Sequence, residues 1–570
     1  MSIRHRFASA PASRLQPACL HPARIAGLLA LLLGACTAAP RPHAAPAPAP
    51  ASASAAAAAA PSVLPSAPAP AALQAAARAH PQAFLDRIGW GADAAQLRRL
   101  RELGAVRMLD AQLDAAPHPA LPPALARRLA ELPVNQPLQV LMPPLVAERR
   151  ALQRMRHDAD PADAAQARQL QRTLHAHLLA LTRQAMAQQL LLAACAPDSL
   201  RQRLTWFWMN HFNVFHNAMV GPMLADYQRR VIAPHALGHF RDLLQATMFS
   251  PQMLLYLNNA QNRRGHINEN YARELMELHT LGVGAGYTQA DVTNLAHVLT
   301  GLGVDLAGRP PRVRPALRGL LWQHGLVVFN PARHDPQPEV VLGRTLQGRG
   351  VGELEQVVDL LADDPATARH VSLELATYFV ADHPDPAMVA AMVRTWRRTD
   401  GDIAAVLRTM FTSRSFAASL AQPQFKDPMR YLLSAVRVSF DGRLLRNPQP
   451  LLGMLYELGE PLDGRTTPDG YALAGGSWDS AGQLGTRFRV AQQLGAGAPA
   501  LFAAPPPYWP DVAPQAPRRP PRSVPELAHG AVFEAAAPTL HPATLQVLAS
   551  AGARWRWNAL WLASPDFMNR

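Results

Sequence analysis

The sequence predicts a mostly α-helical, multi-helix globular body, with a few short β-strands around 320–343 and a loop-rich C-terminal part. Three observations carry this. Apolar residues recur at helical spacing from residue 82 to about 300. Between 305 and 345 the period breaks: Gly, Pro and Arg become frequent, and two short runs, 320–330 and 340–343, read as strands. Helical spacing then resumes over 351–363, 365–381, 386–398, 402–413 and 427–440, and after 441 turn-forming clusters take over. Of the 570 residues 49% are hydrophobic, enough for a sizeable core.

The amino end reads differently. Residues 1–24 carry Arg4, Arg6, Arg14 and Arg24 and no acid. Residues 25–35, I-A-G-L-L-A-L-L-L-G-A, are too short to span a bilayer and suit the apolar region of a signal peptide. The run ends L-G-A-C at 33–36, which resembles a bacterial lipobox. Residues 1–35 are therefore expected to be a lipoprotein signal peptide, with Cys36 bearing the lipid that anchors the protein to the membrane. Thr37 rather than Asp follows, which by analogy fits outer-membrane sorting, facing periplasm or exterior. Residues 36–81 are nearly all Ala, Pro and Ser, cannot bury a core and repeatedly lack a backbone donor. They read as a disordered tether between anchor and body.

Cysteine usage excludes several chemistries. Cys19, Cys36 and Cys195 form no C-x-x-C, so zinc ribbons, thioredoxin chemistry and c-type haem attachment have no support. Cys195 ends an apolar run and reads as a small core residue. The net charge of +14 does not point to nucleic acid. The arginines are scattered, Lys426 is the sole lysine, no nucleic-acid motif occurs, and the export signal argues against it.

In the body, 94–104 and 121–131 read as short helices. Residues 145–195 read as a long Gln- and Arg-rich helical arm broken near Pro161. Residues 199–219, S-L-R-Q-R-L-T-W-F-W-M-N-H-F-N-V-F-H-N-A-M, read as one helix with a polar stripe of Asn210, Asn213 and Asn217 and a broad apolar arc that contains His211. Helices continue over 222–257, separated near Pro234 and Pro251. Residues 268–282 form the most informative helix. Tyr271, Ala272, Leu275, Met276 and Leu278 share one side, and Glu269, Asn270, Arg273, Glu274 and Glu277 the other. His279 falls within the apolar arc. Gly282 suits the left-handed residue past a helix end, and Thr288 with Asp291 suits a capping box opening a helix over 289–300. That helix leaves His297 just exposed. A loop at 333–336, R-H-D-P, carries His334 and Asp335. The stretch 505–525 is Pro-rich and reads as an exposed loop.

These residues allow two functions. In the first, an envelope enzyme holds a pocket of Asn210, His211, Glu269, Asn270, Arg273, Glu274, Glu277 and His279, roofed by His334 and Asp335. Glu274 and Glu277, buried together, would titrate apart and supply an acid and a base for hydrolysis or proton transfer. His211 and His279, if they face one core, could share a divalent metal. No nucleophile elbow, H-E-x-x-H or phosphate loop occurs. In the second, the chain is a non-catalytic helical scaffold or adaptor lipoprotein that docks an exported partner, and the polar helix is a structural network or docking face.

The chain resembles the bacterial family named domain of unknown function 1800. The resemblance rests on W-F-W-M-N-H-F (206–212), M-L-L-Y-L-N-N (253–259), N-E-N-Y-A-R-E-L-M-E-L-H-T-L-G-V (268–283), G-Y-T-Q-A-D-V (286–292) and L-T-G (299–301). H-D (334–335), L-G (342–343), T-P-D-G-Y (467–471) and S-P-D-F-M (564–568) complete it, in family order across 82–570. On this reading 82–440 is a helical family domain and 441–570 its loop-rich C-terminal part. The resemblance implies an exported, mostly helical protein without an established activity, and a partner from an exported family related to sulfatases. The family usually has Asp where Asn258 stands, Trp where Leu302 stands and Lys where Glu339 stands. If that Asp or Lys is catalytic elsewhere, this chain lacks it.

Overall fold

The structure is a computed structural model and describes residues 69–115, 121–157, 161–197, 199–309, 311–348 and 350–569. The expected signal peptide, Cys36 and most of the expected tether lie outside them. The end of that tether needs correcting. Helix α1 (Ala69–Ala79) lies within it, because Leu73 and Ala77, one turn apart, are both buried.

The body is mostly α-helical. Helices α2 (Leu138–His157) and α3 (Pro161–Cys195) pack as a pair, with the break before Pro161 that the spacing predicts. Helix α4 (Ser199–His211) is buried along its whole length. It stops at His211 instead of running to 219, and side-chain bonds to backbone explain why. Asn213 Nδ2 donates to the carbonyls of Arg465 (3.1 Å) and Thr467 (2.8 Å), and Asn217 Oδ1 accepts from the amides of Met219 and Val220, both at 3.0 Å. The asparagine row thus serves turn and loop contacts that compete with the helix ladder.

Next come α5 (Phe240–Met248) and α6 (Pro251–Tyr256), the latter capped by Ser250. The informative helix, α7, is shorter than expected, Asn270–Glu277. Its end is widened by i→i+5 bonds from His279 to Glu274 and from Leu281 to Met276. Gly282 closes it at φ 91°, and the Thr288–Asp291 capping box opens α8 (Gln289–Val298).

The region 302–346 holds two small antiparallel sheets. Strand β1 (Leu302–Val304), absent from the sequence reading, pairs with β3 (Val327–Phe329), which also pairs with β2 (Trp322–His324). Strands β4 (Glu339–Val341) and β5 (Arg344–Leu346) form the second sheet. Helices α9 (Val351–Ala362), α10 (Pro365–Phe379), α11 (Pro386–Arg398), α12 (Ile403–Phe411) and α13 (Pro428–Ser439) follow. Beyond 441 the chain is less loop-rich than expected. Helix α14 (Ala481–Gly495) packs against α15 (Arg554–Leu562), and Tyr431 of α13 donates to the Arg487 carbonyl at 3.0 Å.

Buried cations tie α4 into this core. The Arg203 guanidinium lies over the rings of Tyr378 and Phe379 at 4.9 and 4.7 Å. Its Nη1 donates to the carbonyls of Asp86, Arg87 and Gly89. Lys426 pairs with Asp86 at 2.9 Å, both fully buried. These contacts fix the helix whose last turn carries Asn210 and His211.

Candidate functional site

His211 and His279 do meet, as their places in two apolar arcs suggest. Their ring centroids lie 6.1 Å apart, and both residues are buried. What joins them is a carboxylate that the sequence reading passed over. His211 Nδ1 lies 2.7 Å from Glu374 Oε2, and His211 Nε2 donates to the His279 carbonyl at 3.1 Å. His370, one turn before Glu374 on α10, has its Nε2 3.7 Å from Glu374 Oε1 and 3.2 Å from the Leu278 carbonyl, to which it donates. Burial alone would raise the Glu374 carboxyl, but His211 and His370 outweigh it and hold the group below its ordinary value.

His279 is the opposite case. Its ring is 1% exposed and neither nitrogen has a hydrogen-bond partner among the described residues. Burial, followed by repulsion from His211 and His370, drives its pKa well below the histidine norm, so the ring is neutral. The shared-metal expectation finds no support in this arrangement. Both nitrogens of His211 are engaged, and among the described residues no group of three or more His, Cys, Asp or Glu is arranged to hold a metal ion.

A cavity of about 70 Å³ opens beside this cluster. Its wall includes Asn210, His211, Glu277, His370, Glu374 and Asp469. The 461–473 segment roofs it, not the His334–Asp335 loop. Asn210 holds that roof with both ends of its amide: Oδ1 accepts from the Tyr471 amide at 2.7 Å and Nδ2 donates to the Tyr471 carbonyl at 2.9 Å. Gly470 is required there. It sits at φ +67°, and a Cβ would collide with the Asn210 carbonyl. Tyr256 adds a 2.9 Å bond to the Thr466 carbonyl. Asp469 ion-pairs with Arg465 at 2.8 Å and accepts from the Thr467 hydroxyl. These bonds overcome its burial and keep the carboxyl low.

Glu274 does not line this cavity but feels the charge of Glu277 and Asp469, which do. Burial first, then Glu277 and more weakly Asp469, push its carboxyl up, and Arg273 opposes them. Tyr287 leans on Glu277, and its hydroxyl is raised by burial and by that carboxylate. The coupling of Glu274 with Glu277 anticipated from their spacing is thus present, with Glu277 lining the cavity.

The remaining expected site residues go elsewhere. Glu269 and Arg273 pair at 3.0 Å on the surface, and Glu269 also accepts from Gln289 and Thr293, tying α7 to α8. The Thr293 and Gln289 hydrogen bonds lower the Glu269 carboxyl. Asn270 Nδ2 donates to the Leu257 carbonyl at 3.2 Å, a structural role. His334 and Asp335 build a second cluster. His334 Nδ1 lies 3.0 Å from the Thr300 carbonyl, and its Nε2 approaches buried Glu353 at 3.1 Å without hydrogen-bond alignment. Asp335 pairs with His297 at 3.0 Å, and Glu339 stands 3.8 Å from the same His297 nitrogen. Burial raises the Glu339 carboxyl, with Asp335 and Glu353 adding to it and His297 opposing.

The family described as "Protein of unknown function (DUF1800)" matches residues 83–569. The chain belongs to that family. No curated protein and no solved structure matches it. The three positions at which the family resemblance implies a different residue each have a visible setting. Asn258 is left-handed at φ 63°, a conformation Asn tolerates well, and Leu302 is fully buried in β1. Glu339 stands beside Asp335 and Glu353, and burial and like charge raise it.

Sequence reasoning missed His370, Glu374 and Asp469. The signal for the first two was present: H-V-S-L-E places His370 and Glu374 at i,i+4, and Glu374 is the sole acid of its helix. Asp469 lay inside T-P-D-G-Y, a motif noted for the family but not joined to the site.

Proposed function

We propose that the protein is an exported, lipid-anchored enzyme that works by general acid–base catalysis at the His211–Glu374 cleft. The observation that carries this is a divergence between a carboxyl group that lines the cleft and one coupled to its wall through Glu277. Glu374 is held low by two histidines, while Glu274 is raised by burial and by Glu277. Carboxyl groups pushed in opposite directions divide toward the roles of proton acceptor and proton donor. Glu374 is the base. Its Oε2 is fixed by His211, its Oε1 lies toward His370, and the residue lines the cavity. Glu274, with Glu277 beside it, is the acid. Hydrolysis or proton transfer on a small group entering the cleft follows from this division of roles.

The test is a screen of ester, glycoside, phosphoester and amide substrates with the purified protein and Glu374→Gln. The substitution is expected to lower the rate by at least about 100-fold, the usual weight of a general base, while the protein stays folded at the assay temperature. Activity that survives it, or silence across all four classes, abandons the enzyme reading. The small size of the cavity, about 70 Å³, favours a second reading in that event: a scaffold lipoprotein that docks an exported partner, of the sulfatase-related kind that the family resemblance implies.

Export and anchoring rest on the apolar run 25–35 and L-G-A-C at 33–36. No helix of the described residues is long and apolar enough to cross a membrane. Mass spectrometry of the membrane fraction is expected to find diacylglyceryl on Cys36, and a Cys36→Ala chain without lipid. An unmodified Cys36 removes the anchor from the proposal.

A further inference from the structure

A larger cavity, about 560 Å³, lies where the start of α2, the 226–231 segment, the α5–α6 junction, the β2–β3 hairpin and the start of α9 converge. It shares no lining residue with the His211 cleft. Its wall has an unusual composition. Trp322 and His324, at i and i+2 on β2, project to the same face, with nearly parallel rings (20°) and centroids 6.2 Å apart. Phe249 meets Trp322 edge-on at 5.6 Å and sets the indole plane from behind. Trp322 and Phe249 are half-buried and His324 is exposed, so one aromatic step is offered to the cavity.

Around this step stand planar polar groups. Asp226 is held by Arg230 at 2.6 Å and by Gln252 at 3.2 Å. Gln245 accepts from Arg241 at 2.8 Å through its oxygen, which leaves its amide nitrogen as a donor. Gln139 and Glu355 line the rim, exposed and with no hydrogen-bond partner among the described residues. Beside them, Tyr227–Ile232 is a run of π-helix, a local widening that recurs at functional sites.

We propose that this cavity is a carbohydrate-binding site that takes a neutral pyranose oligosaccharide with one sugar ring stacked on Trp322. The chemistry is complementary on both counts. A pyranose presents an apolar C–H face, which an indole covers, and a ring of hydroxyls that each donate and accept. Amide and carboxylate side chains answer those hydroxyls with donors and acceptors fixed in a plane. A purely apolar ligand would leave Gln139, Gln245 and Glu355 facing it without partners. The volume lies in the range of small-molecule sites and admits a short oligosaccharide.

The test is isothermal titration of the purified protein with chitotetraose, cellotetraose and maltotetraose, repeated on three variants. At least one sugar is expected to bind saturably. Trp322→Ala should weaken that binding about tenfold or more, the weight of one lost aromatic face. Trp322→Phe should keep most of it. Gln139→Ala with Glu355→Ala should also weaken it while preserving the melting temperature, because both residues face solvent. If Trp322→Ala fails to fold, the other two variants decide. Absence of saturable binding for all three sugars overturns the proposal. So does binding that the Gln139/Glu355 double variant leaves unchanged.

Discussion

Glu374 Oε2 sits 2.7 Å from His211 Nδ1, while His211 Nε2 donates 3.1 Å to the carbonyl of His279. One imidazole thus bridges a carboxylate on α10 and the backbone just past α7, and both of its nitrogens face acceptors. The histidine is a strut between three helices.

Removing the carboxylate therefore costs stability. Glu374→Ala leaves His211 Nδ1 without its partner, and a loss of about 2 kcal/mol is expected, reduced from the fully buried case because Glu374 is 26% exposed. Glu374→Gln retains the shape and a polar partner and should lose less than half as much. Urea denaturation at pH 7 measures both. Equal losses for the two variants contradict the bridge.

His279 gives a pH dependence with a definite sign. Its folded-state pKa lies well below the ordinary 6.5. The contribution of the neutral ring is fully present above pH 6.5 and is lost as pH falls below it, since the unfolded chain takes up the proton first. Glu374, also held low, acts in the same direction below its ordinary 4.5. His279→Phe keeps a ring among Phe212 and His211 and has no unpartnered nitrogen. It should stay within about 1 kcal/mol of the parent at pH 7. Its urea midpoint should also fall less between pH 6.5 and 5 than that of the parent. An identical acid slope in the two proteins removes His279 as the cause.

Asp463 works in the opposite sense. It is partly exposed, holds φ 51°, and its carboxyl is pushed up to about 7 by burial, with Oδ2 lacking a hydrogen-bond partner. Stability linked to it is present below its ordinary 3.8 and is lost as pH rises to about 7. Asp463→Asn should therefore stabilise the protein above pH 7, on the order of 1 kcal/mol after allowance for its exposure. Asn is also at ease in a left-handed conformation. Thermal melting at pH 8 and at pH 4 checks this; the gain should vanish at the lower pH.

The roof has a single weak point. Gly470→Ala forces a side chain into a left-handed residue and against the Asn210 carbonyl. The expected loss is about 2 kcal/mol or more. Hydrogen exchange should localise the loosening to the 461–473 segment. Protection that stays unchanged there argues that the segment is held by something other than the Asn210 clamp.

Much of the architecture was legible because it is local. The 3.6-residue period, the Thr288–Asp291 box and Gly282 each write a helix or its end into a few adjacent residues. The errors arose where distant partners intervene. Asn213 and Asn217 look like a helical stripe until the Arg465 and Thr467 carbonyls, some 250 residues away, come to claim Asn213. The site divided along the same line. His211 and His279 were placed correctly by their arcs, since burial follows from periodicity. Glu269, Arg273, His334 and Asp335 were grouped with them for their chemistry alone, and the fold sends them to a surface network and a second cluster. Glu374 was hidden because a lone acid on an otherwise plain helix gains meaning from the histidine opposite it, and no periodicity reveals that.

The clamp between Asn210 and Tyr471 spans 261 positions of sequence. A growing chain carries His211, and later Glu374, long before the segment that covers them has been made. Up to that point the cleft lacks Pro468, Asp469 and Leu473 from its wall. The enclosure is thus tied to completion of the polypeptide, and a fragment truncated before residue 461 would hold His211 and Glu374 without their cover.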